Sequence, residues 1–573
     1  MRNHENTEEQ EFFHIMHGVG LMLGEVKISN CAPIIVGIYA TKPDALPELV
    51  VLDLNIGSLA PVRVEVSPAE LNYRSLNKRF PIVHAPNSYC RSLFNEYLHD
   101  AFQACLERRK PTKIDDEFDL VPIGRLFKTP GLHRLDDGSL CAVEGEDVIG
   151  YPDYNYYITP DTARFRIRAG IENPLDTLFR ILRNQPSPVF LTVAFSLLSL
   201  VRSAVIDGGI DLQAVLYIAG PQGTGKTTLA QRAAGFIVDT QDSRNNPALF
   251  YGAGGTWAGI RDAMAAHRDL PMIVDDLCLS ASKQTVRKRQ HLAAQTVREA
   301  ANAAKIVKKS RNGAQIEIEC QAGVILTAEF ALENASDLTR CIIAQVKKPL
   351  GLPPAFSAEL MGSVAKLYLQ YFVEHADSAL QRLRDNLQET DVDALEDCEE
   401  ARVRTNLITL RWALDSLFHA AAEQGEDLTD QHLLYTKFDD ALRDAVDAVN
   451  EELQRVRSNT PDGNLAYILL RAVENGDFRL IKNEEKIDKL RKKDGIWFKN
   501  DLCLRSMPLE TYVRQQNGFH DWNLGDITSE LKRYSALCIQ EEGTCQVKIS
   551  KAEGIPRVYR IRMAALEEYA EAY

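Results

Sequence analysis

Apolar and polar positions follow several different rhythms along the 573 residues. Up to about Tyr157, short β-type runs such as "APIIVGIYA" and "ELVVLDLNI" surround one amphipathic stretch, "RSLFNEYLHDAFQACLER". That mixture predicts an N-terminal α+β domain over residues 1–160. A tyrosine-rich joint, "GYPDYNYYITP", leads into apolar helical patterning that predicts a helical linker over 161–211. Its tyrosines read as packing at a domain joint, with base stacking as the alternative. From Leu212 to about Val346, buried apolar runs alternate with helical stretches. This is the pattern of a parallel sheet with crossover helices, placed at 212–350. Residues 351–459 read as wholly helical. In 460–573 the helix-like "DITSELKRYSAL" precedes strand-like "CIQEE", "CQVKIS" and "PRVYRIR", which suggests a winged helix. The expected fold class is multidomain α/β, and the length suits three or four domains.

Bulk properties narrow the setting. The most apolar run, "VFLTVAFSLLSLV" from Val189, is closed by Arg202 and is too short to span a bilayer, so it predicts a buried helix and no membrane partner. The polar, acidic start "MRNHENTEEQEFFH" fits neither a signal nor a transit peptide. Eleven scattered cysteines contain no C-x-x-C pair, which predicts reduced thiols in a cytoplasmic protein and no zinc site. A net charge of −14 argues against a simple nucleic-acid coat, so local charge matters more than the sum. Between Lys283 and Arg311 nine basic residues stand against one acid, Glu299.

The sharpest chemical signal is G-x-x-x-x-G-K-T from Gly220 to Thr227, between a strand-like and a helix-like run. Gly220, Pro221, Gln222, Gly223, Thr224 and Gly225 would wrap phosphate oxygens with backbone amides, and Thr228 continues the helix that points at them. Lys226 would reach the β- and γ-phosphates of ATP, and the Thr227 hydroxyl would hold Mg²⁺. Farther on, "LPMIVDD" ends a buried strand with two acids. Asp275 suits the hold on Mg²⁺ and Asp276 the polarisation of water, the alternative being two acids that merely cap a strand. In "AGVILTAE", Thr327 and Glu329 fall at another strand end, where either suits the γ-phosphate or a water. Arg340 in "LTRCII" suits an arginine finger donated to the next subunit's ATP, or an ordinary surface arginine.

"KIVKKSRNGAQIEIEC" has strand-like runs on both sides of Asn312-Gly313, a hairpin signal. Lys308, Lys309 and Arg311 would crowd its tip and suit the phosphates of single-stranded DNA, against the alternative of a solvated surface hairpin. Near the C-terminus, Lys548, Lys551, Arg557, Arg560 and Arg562 would line a wing on duplex DNA or a protein dock.

In this order the elements resemble an AAA+ P-loop ATPase. They are most similar to helicase-like proteins of phages, integrative elements and pathogenicity islands related to the minichromosome maintenance helicases. "TWAGIRDAMAAHRDLPMIVDDL", "GVILTAEF" with "DLTRCII", and "GRLFKTPGLHRLDDGSLCAVEGEDVIG" carry the resemblance, which covers roughly Pro122 to Val346. It implies Lys226 and Thr227 as Walker A residues, and Asp275 with Asp276 as Walker B. It implies Glu329 as sensor 1, with Thr327 as fallback. On a helical lid, within "EEARVRTNLITLRWAL", it implies Arg404 as sensor 2, with Arg402 as competitor. The basic segment would be the hairpin that projects into the channel of a hexameric ring. The implied activity is ATP- and Mg²⁺-dependent DNA translocation, a helicase serving replication of a mobile genetic element alongside replication-initiation partners. A non-unwinding remodeller or initiator-type switch is the alternative. Asp276 and Glu329 depart from the family pattern, which carries Glu and Asn at those places.

Overall fold

The structure, a computed structural model, describes residues 12–571 apart from 43, 115–118, 153–154, 240–248, 252–255, 279–282, 304, 310–314, 389–392, 427, 460–464, 482–488, 517–518, 520–521, 534–535, 538–545 and 548–555. The chain divides into two compact units, 1–331 with 339–446, and 332–338 with 447–573. No helix among the described residues is long and apolar enough to cross a membrane.

In the first unit, alternating apolar positions build a five-stranded sheet in the order Tyr156–Ile158, Ile123–Phe127, Cys31–Ala40, Leu49–Ile56, Val62–Val66. The amphipathic stretch forms the helix Ser88–Glu107, started by the Asn87 side chain, which accepts from the Cys90 amide. Phe94, Tyr97, Leu98 and Ala101 bury one face of that helix in a cluster with Ile35, Ile38 and Leu52. Three of the joint tyrosines pack, as expected, while Tyr154 lies outside the described residues. Tyr151 and Tyr156 stand edge-on to Phe127, with centroids 5.7 and 6.2 Å away, and the Tyr157 hydroxyl donates to Glu65.

The run from Val189 lies in the helix Ser187–Leu200, buried on nearly every side. Arg202, only 1% exposed, then turns its guanidinium onto two carbonyls, Ala214 at 3.2 Å and Ala300 at 2.7 Å. Burial lowers its pKa to about 10. Next to it Ser203 donates twice to Asp269, through its amide and its hydroxyl, both at 2.6 Å. Asp269 also accepts from the Leu132 amide at 3.0 Å, so the turn before the acidic strand is tied to the N-terminal strand Gly131–Arg134.

The core sheet is entirely parallel, in the order Leu249–Tyr251, Pro271–Leu277, Gly323–Ala328, Val215–Ala219, Cys341–Gln345. Its central strands are continuous apolar runs because both faces are covered. A helical region follows. The helix Ala358–Gln388 is kinked at His375, and it packs on Ala401–Glu423, where the buried Trp412 indole donates to the Ala379 carbonyl at 2.8 Å.

The second unit has a five-stranded sheet in the order Leu480–Ile481, Gly495–Phe498, Asp501–Leu504, Val558–Ile561, Gln546–Val547. The helices Leu465–Asn475, Ser506–Gln515, Leu524–Arg533 and Met563–Glu571 accompany it. Two of the expected strand regions carry strands, while "CIQEE" lies outside the described residues. The hairpin Gly495–Phe498/Asp501–Leu504 is not legible in the sequence, because its turn, Lys499-Asn500, contains no glycine.

Candidate active site

The strand Val215–Ala219 runs buried into Gly220, and the helix Lys226–Ala234 starts directly after Gly225. Two glycines answer to different needs. Gly220 is packed: a Cβ there would meet the Val346 carbonyl oxygen at 2.3 Å. Gly225 sits at φ 91° as the helix N-cap, a left-handed conformation that suits glycine and leaves the first amides of the helix unobstructed. The Thr224 hydroxyl and the Lys226 ammonium both donate to the Pro221 carbonyl, at 2.9 and 2.8 Å, which rounds the loop over its own lysine. Lys226 is 8% exposed, and burial lowers its pKa against the opposing pull of Glu329 and Asp275.

Asp275, 4% exposed, lies at the end of the strand Pro271–Leu277. Its Oδ1 accepts from the Thr227 hydroxyl at 2.7 Å and also from the Thr327 hydroxyl. The strand Gly323–Ala328 lies between the P-loop strand and the acidic strand, and this puts Thr327 against Asp275. Glu329 follows one position beyond that strand. Its amide donates to the Leu277 carbonyl at 3.0 Å, and its side chain lines the same cavity. The sheet register shifts between Val274 and Leu277, and Asp276 within that irregularity has φ 65°. A left-handed backbone at a non-glycine residue is strained, and it turns the exposed Asp276 carboxylate out of the strand toward the cavity.

The cavity has a volume of about 380 Å³, lined by the P-loop, Asp276, Cys278 and Glu329. Thr227 and Asp275 offer hydroxyl and carboxylate oxygens, a hard donor set that fits Mg²⁺. Two features, one lining the cavity and one bonded to it, escape the sequence. The Cys278 thiol is held up in pKa by burial and by its hydrogen bond to Asp276. Arg289 donates to the Cys278 carbonyl at 2.7 Å and sulfur at 2.8 Å. In the sequence Arg289 is only one charge in a basic run, because its partner Cys278 lies 11 residues away and no local pattern links the two.

The remaining arginines lie elsewhere. Arg340 precedes the strand Cys341–Gln345, and its carbonyl accepts from the Val215 amide at 3.0 Å. In register Cys341 faces Val215 and Gln345 faces Ala219, so Arg340 sits at the opposite end of the sheet from the P-loop. Five residues of strand separate the two ends, about 16 Å. The Arg340 Nε reaches Asn302 at 3.4 Å, Arg402 donates to the Thr339 hydroxyl at 3.0 Å, and Arg404 donates to the Leu395 carbonyl at 3.0 Å. Nearby, Asn406 pairs with both backbone groups of Gln213, just before the P-loop strand. Thus Arg340, and Arg402 through its bond to Thr339, stand at the end of the sheet away from the phosphate loop of their own chain.

The basic hairpin forms with Lys305–Lys309 antiparallel to Gln315–Glu319, in a register from Lys305 opposite Glu319 to Lys309 opposite Gln315. Lys308 and Lys309 occupy its distal end, while Arg311 lies outside the described residues.

No family model matches the chain, and no curated protein matches it by sequence. Among solved structures it is similar to the SCCmec type IV Cch active helicase, at 14% identity and a TM-score of 0.53. That match covers 97% of this chain and 98% of the other. The apo C-terminal region of NrS-1 matches over 90% of this chain and 94% of the other, at 10% identity and a TM-score of 0.25. JCV helicase with a bound acetamide compound matches over 45% of this chain and 74% of the other, at 12% identity and a TM-score of 0.17. The last two scores carry no weight. The first shows a shared fold along nearly the whole chain: a multidomain α/β protein with the fold of a helicase structure.

Proposed function

We propose that the chain is an AAA+ ATPase that moves along DNA, a ring-forming helicase for replication of a mobile genetic element, with a winged helix in its C-terminal unit. The observation that carries this reading is the junction of Thr227, Asp275 and Thr327 beneath the P-loop, in a chain whose fold follows that of a helicase from end to end. In this reading the P-loop amides and Lys226 hold the β- and γ-phosphates of ATP. Thr227 and Asp275 would hold Mg²⁺, which would supply neutralisation of phosphate charge there. Asp276 polarises the attacking water, and Thr327 and Glu329 orient groups at the strand end. The place of Arg340 at the far end of the sheet from its own P-loop supports donation to a neighbouring subunit, and hence a ring such as a hexamer, with Arg404 as the sensor 2 arginine of the lid and Arg402 as its alternative. The strand order Asp501–Leu504, Val558–Ile561, Gln546–Val547, flanked by helices, supports the winged helix.

The test is ATP turnover with and without single-stranded DNA, followed by displacement of a labelled strand from a forked duplex. Stimulation with displacement is expected. Turnover indifferent to DNA would move the remodeller or initiator-type switch ahead.

A further inference from the structure

Two neighbouring carboxylates at the end of the strand Pro271–Leu277 are held in different ways. Asp275 is 4% exposed and fixed by the hydroxyls of Thr227 and Thr327. Asp276 is exposed and sits on a left-handed backbone. An exposed aspartate has two free side-chain torsions, and a carboxylate that must align with a water needs them fixed. Among the described residues the side chain that holds Asp276 is Cys278, through a hydrogen bond between thiol and carboxylate. The two residues stand at i and i+2 and line the same cavity.

Cys278 is itself held at two points. One terminal nitrogen of Arg289, Nη1, donates to its carbonyl at 2.7 Å and to its sulfur at 2.8 Å. Backbone and side chain are gripped together, which sets the direction of the thiol. A guanidinium has donors only, a carboxylate acceptors only, and a neutral thiol one S–H and an accepting sulfur. The order is therefore fixed: Arg289 donates to sulfur, and the S–H donates to Asp276. Burial, and after it the hydrogen bond to Asp276, holds the thiol pKa up, so that proton stays on sulfur. Among the described residues no carboxylate pairs directly with Arg289, and the thiol is its link to Asp276. Arg289 is half-buried on the helix Lys283–Ala301, so this chain of donors also ties that helix to the strand end.

We propose that Cys278 and Arg289 are positioning residues for hydrolysis: the guanidinium fixes the sulfur, and the thiol fixes the Asp276 carboxylate in the direction from which it polarises the attacking water. A thiol suits the middle place because it is a weak donor. It orients the carboxylate and leaves it basic, whereas a direct ion pair with Arg289 would lower the basicity that the task requires. This inference rests on the reading of Asp276 as the water-polarising group.

The test uses the full chain and steady-state ATP turnover. Cys278→Ala should lower kcat about 10-fold, the scale for removing a group that orients a functional residue, with KM and nucleotide affinity at parental values. Cys278→Ser keeps a donor and should recover most of that loss. Arg289→Gln should also lower kcat about 10-fold. The double variant, Cys278→Ala with Arg289→Gln, should lose no more than either alone, because both act through one carboxylate. A second readout is independent of turnover: the pH profile of iodoacetamide alkylation at Cys278, followed by peptide mapping. Asp276→Ala should move that profile to lower pH and Arg289→Gln to higher pH, since the carboxylate holds the thiol pKa up and the guanidinium pulls it down. Parental kcat in Cys278→Ala overturns the proposal. So does a loss confined to KM, a loss that multiplies in the double variant, or an alkylation profile indifferent to both changes. Parental turnover in Asp276→Ala is a different failure, which removes the water-polarising role of Asp276 and the relay with it.

Discussion

The Thr227 hydroxyl donates to Oδ1 of Asp275 over 2.7 Å, joining the first turn of the P-loop helix to the end of a strand two places away in the sheet. Thr327 donates to the same oxygen from the strand between them. One carboxylate therefore fixes the relative positions of three elements beside the P-loop. Asp275→Asn keeps an acceptor oxygen and removes the charge. It should leave the fold intact and reduce Mg²⁺-dependent turnover at least about 100-fold, while Thr327→Val, which removes one donor, should cost about 10–100-fold. Steady-state turnover across a Mg²⁺ series measures both, and parental rates would reject the metal assignment.

Asp276 holds φ 65° within the strand irregularity. Glycine relieves that strain and alanine does not, so Asp276→Gly should be more stable than Asp276→Ala by about 1 kcal/mol. Both should lose hydrolysis and keep nucleotide affinity. Thermal unfolding and nucleotide titration of the two variants are the measurement. Equal stability would mean that the left-handed backbone carries no strain.

Burial lowers the pKa of Lys226 in the nucleotide-free chain, against Glu329 and Asp275. Bound phosphates favour the ammonium and raise that pKa again. Nucleotide affinity should therefore be flat below the lowered value and fall as pH rises through it. One proton is taken up per nucleotide in the window between the free and bound values. Calorimetry in buffers of different ionisation heat measures that uptake. Lys226→Ala should bind no nucleotide at any pH.

Arg340 lies at the far end of the sheet from its own P-loop. Arg340→Ala should keep nucleotide affinity and lose hydrolysis. Mixing it with Lys226→Ala should restore part of the activity, because some interfaces then join an intact Lys226 to an intact Arg340. Mixtures that exchange subunits without any recovery would rule out a shared site.

Lys308, Lys309 and Arg311 are proposed to grip a single strand. Changing all three to Ala should leave basal turnover nearly intact and lower DNA stimulation and unwinding. The salt slope for a short single strand should fall by about 0.7 for every phosphate no longer neutralised. Unwinding at the parental rate would reduce the hairpin to a surface feature.

Whatever depends on contiguous residues is legible along the chain. The P-loop can be read there because strand, glycine loop and helix follow one another within twenty residues, and each obeys local backbone rules. Continuous apolar runs identify the parallel sheet, since strands covered on both faces admit few polar residues. The Asn312-Gly313 signal likewise places the basic hairpin, whose strands pair as expected.

Folding settles which strand lies beside which, and with it the partners inside the site. No local pattern states that Gly323–Ala328 inserts between the P-loop and acidic strands, yet that order makes Thr327 rather than Glu329 the partner of Asp275. The irregularity that turns Asp276 outward is a compromise between two registers and leaves no composition signal. Arg289 meets Cys278, and Asp269 meets Leu132 and Ser203, across 11 to 137 residues of chain. The turn at Lys499-Asn500 lacks the glycine that announces such turns, so only the pairing of its strands reveals it. Backbone propensity acts over a few residues and is written in order along the chain. Charge pairing and strand order follow from burying all the apolar runs at once, and so they appear only in the folded molecule.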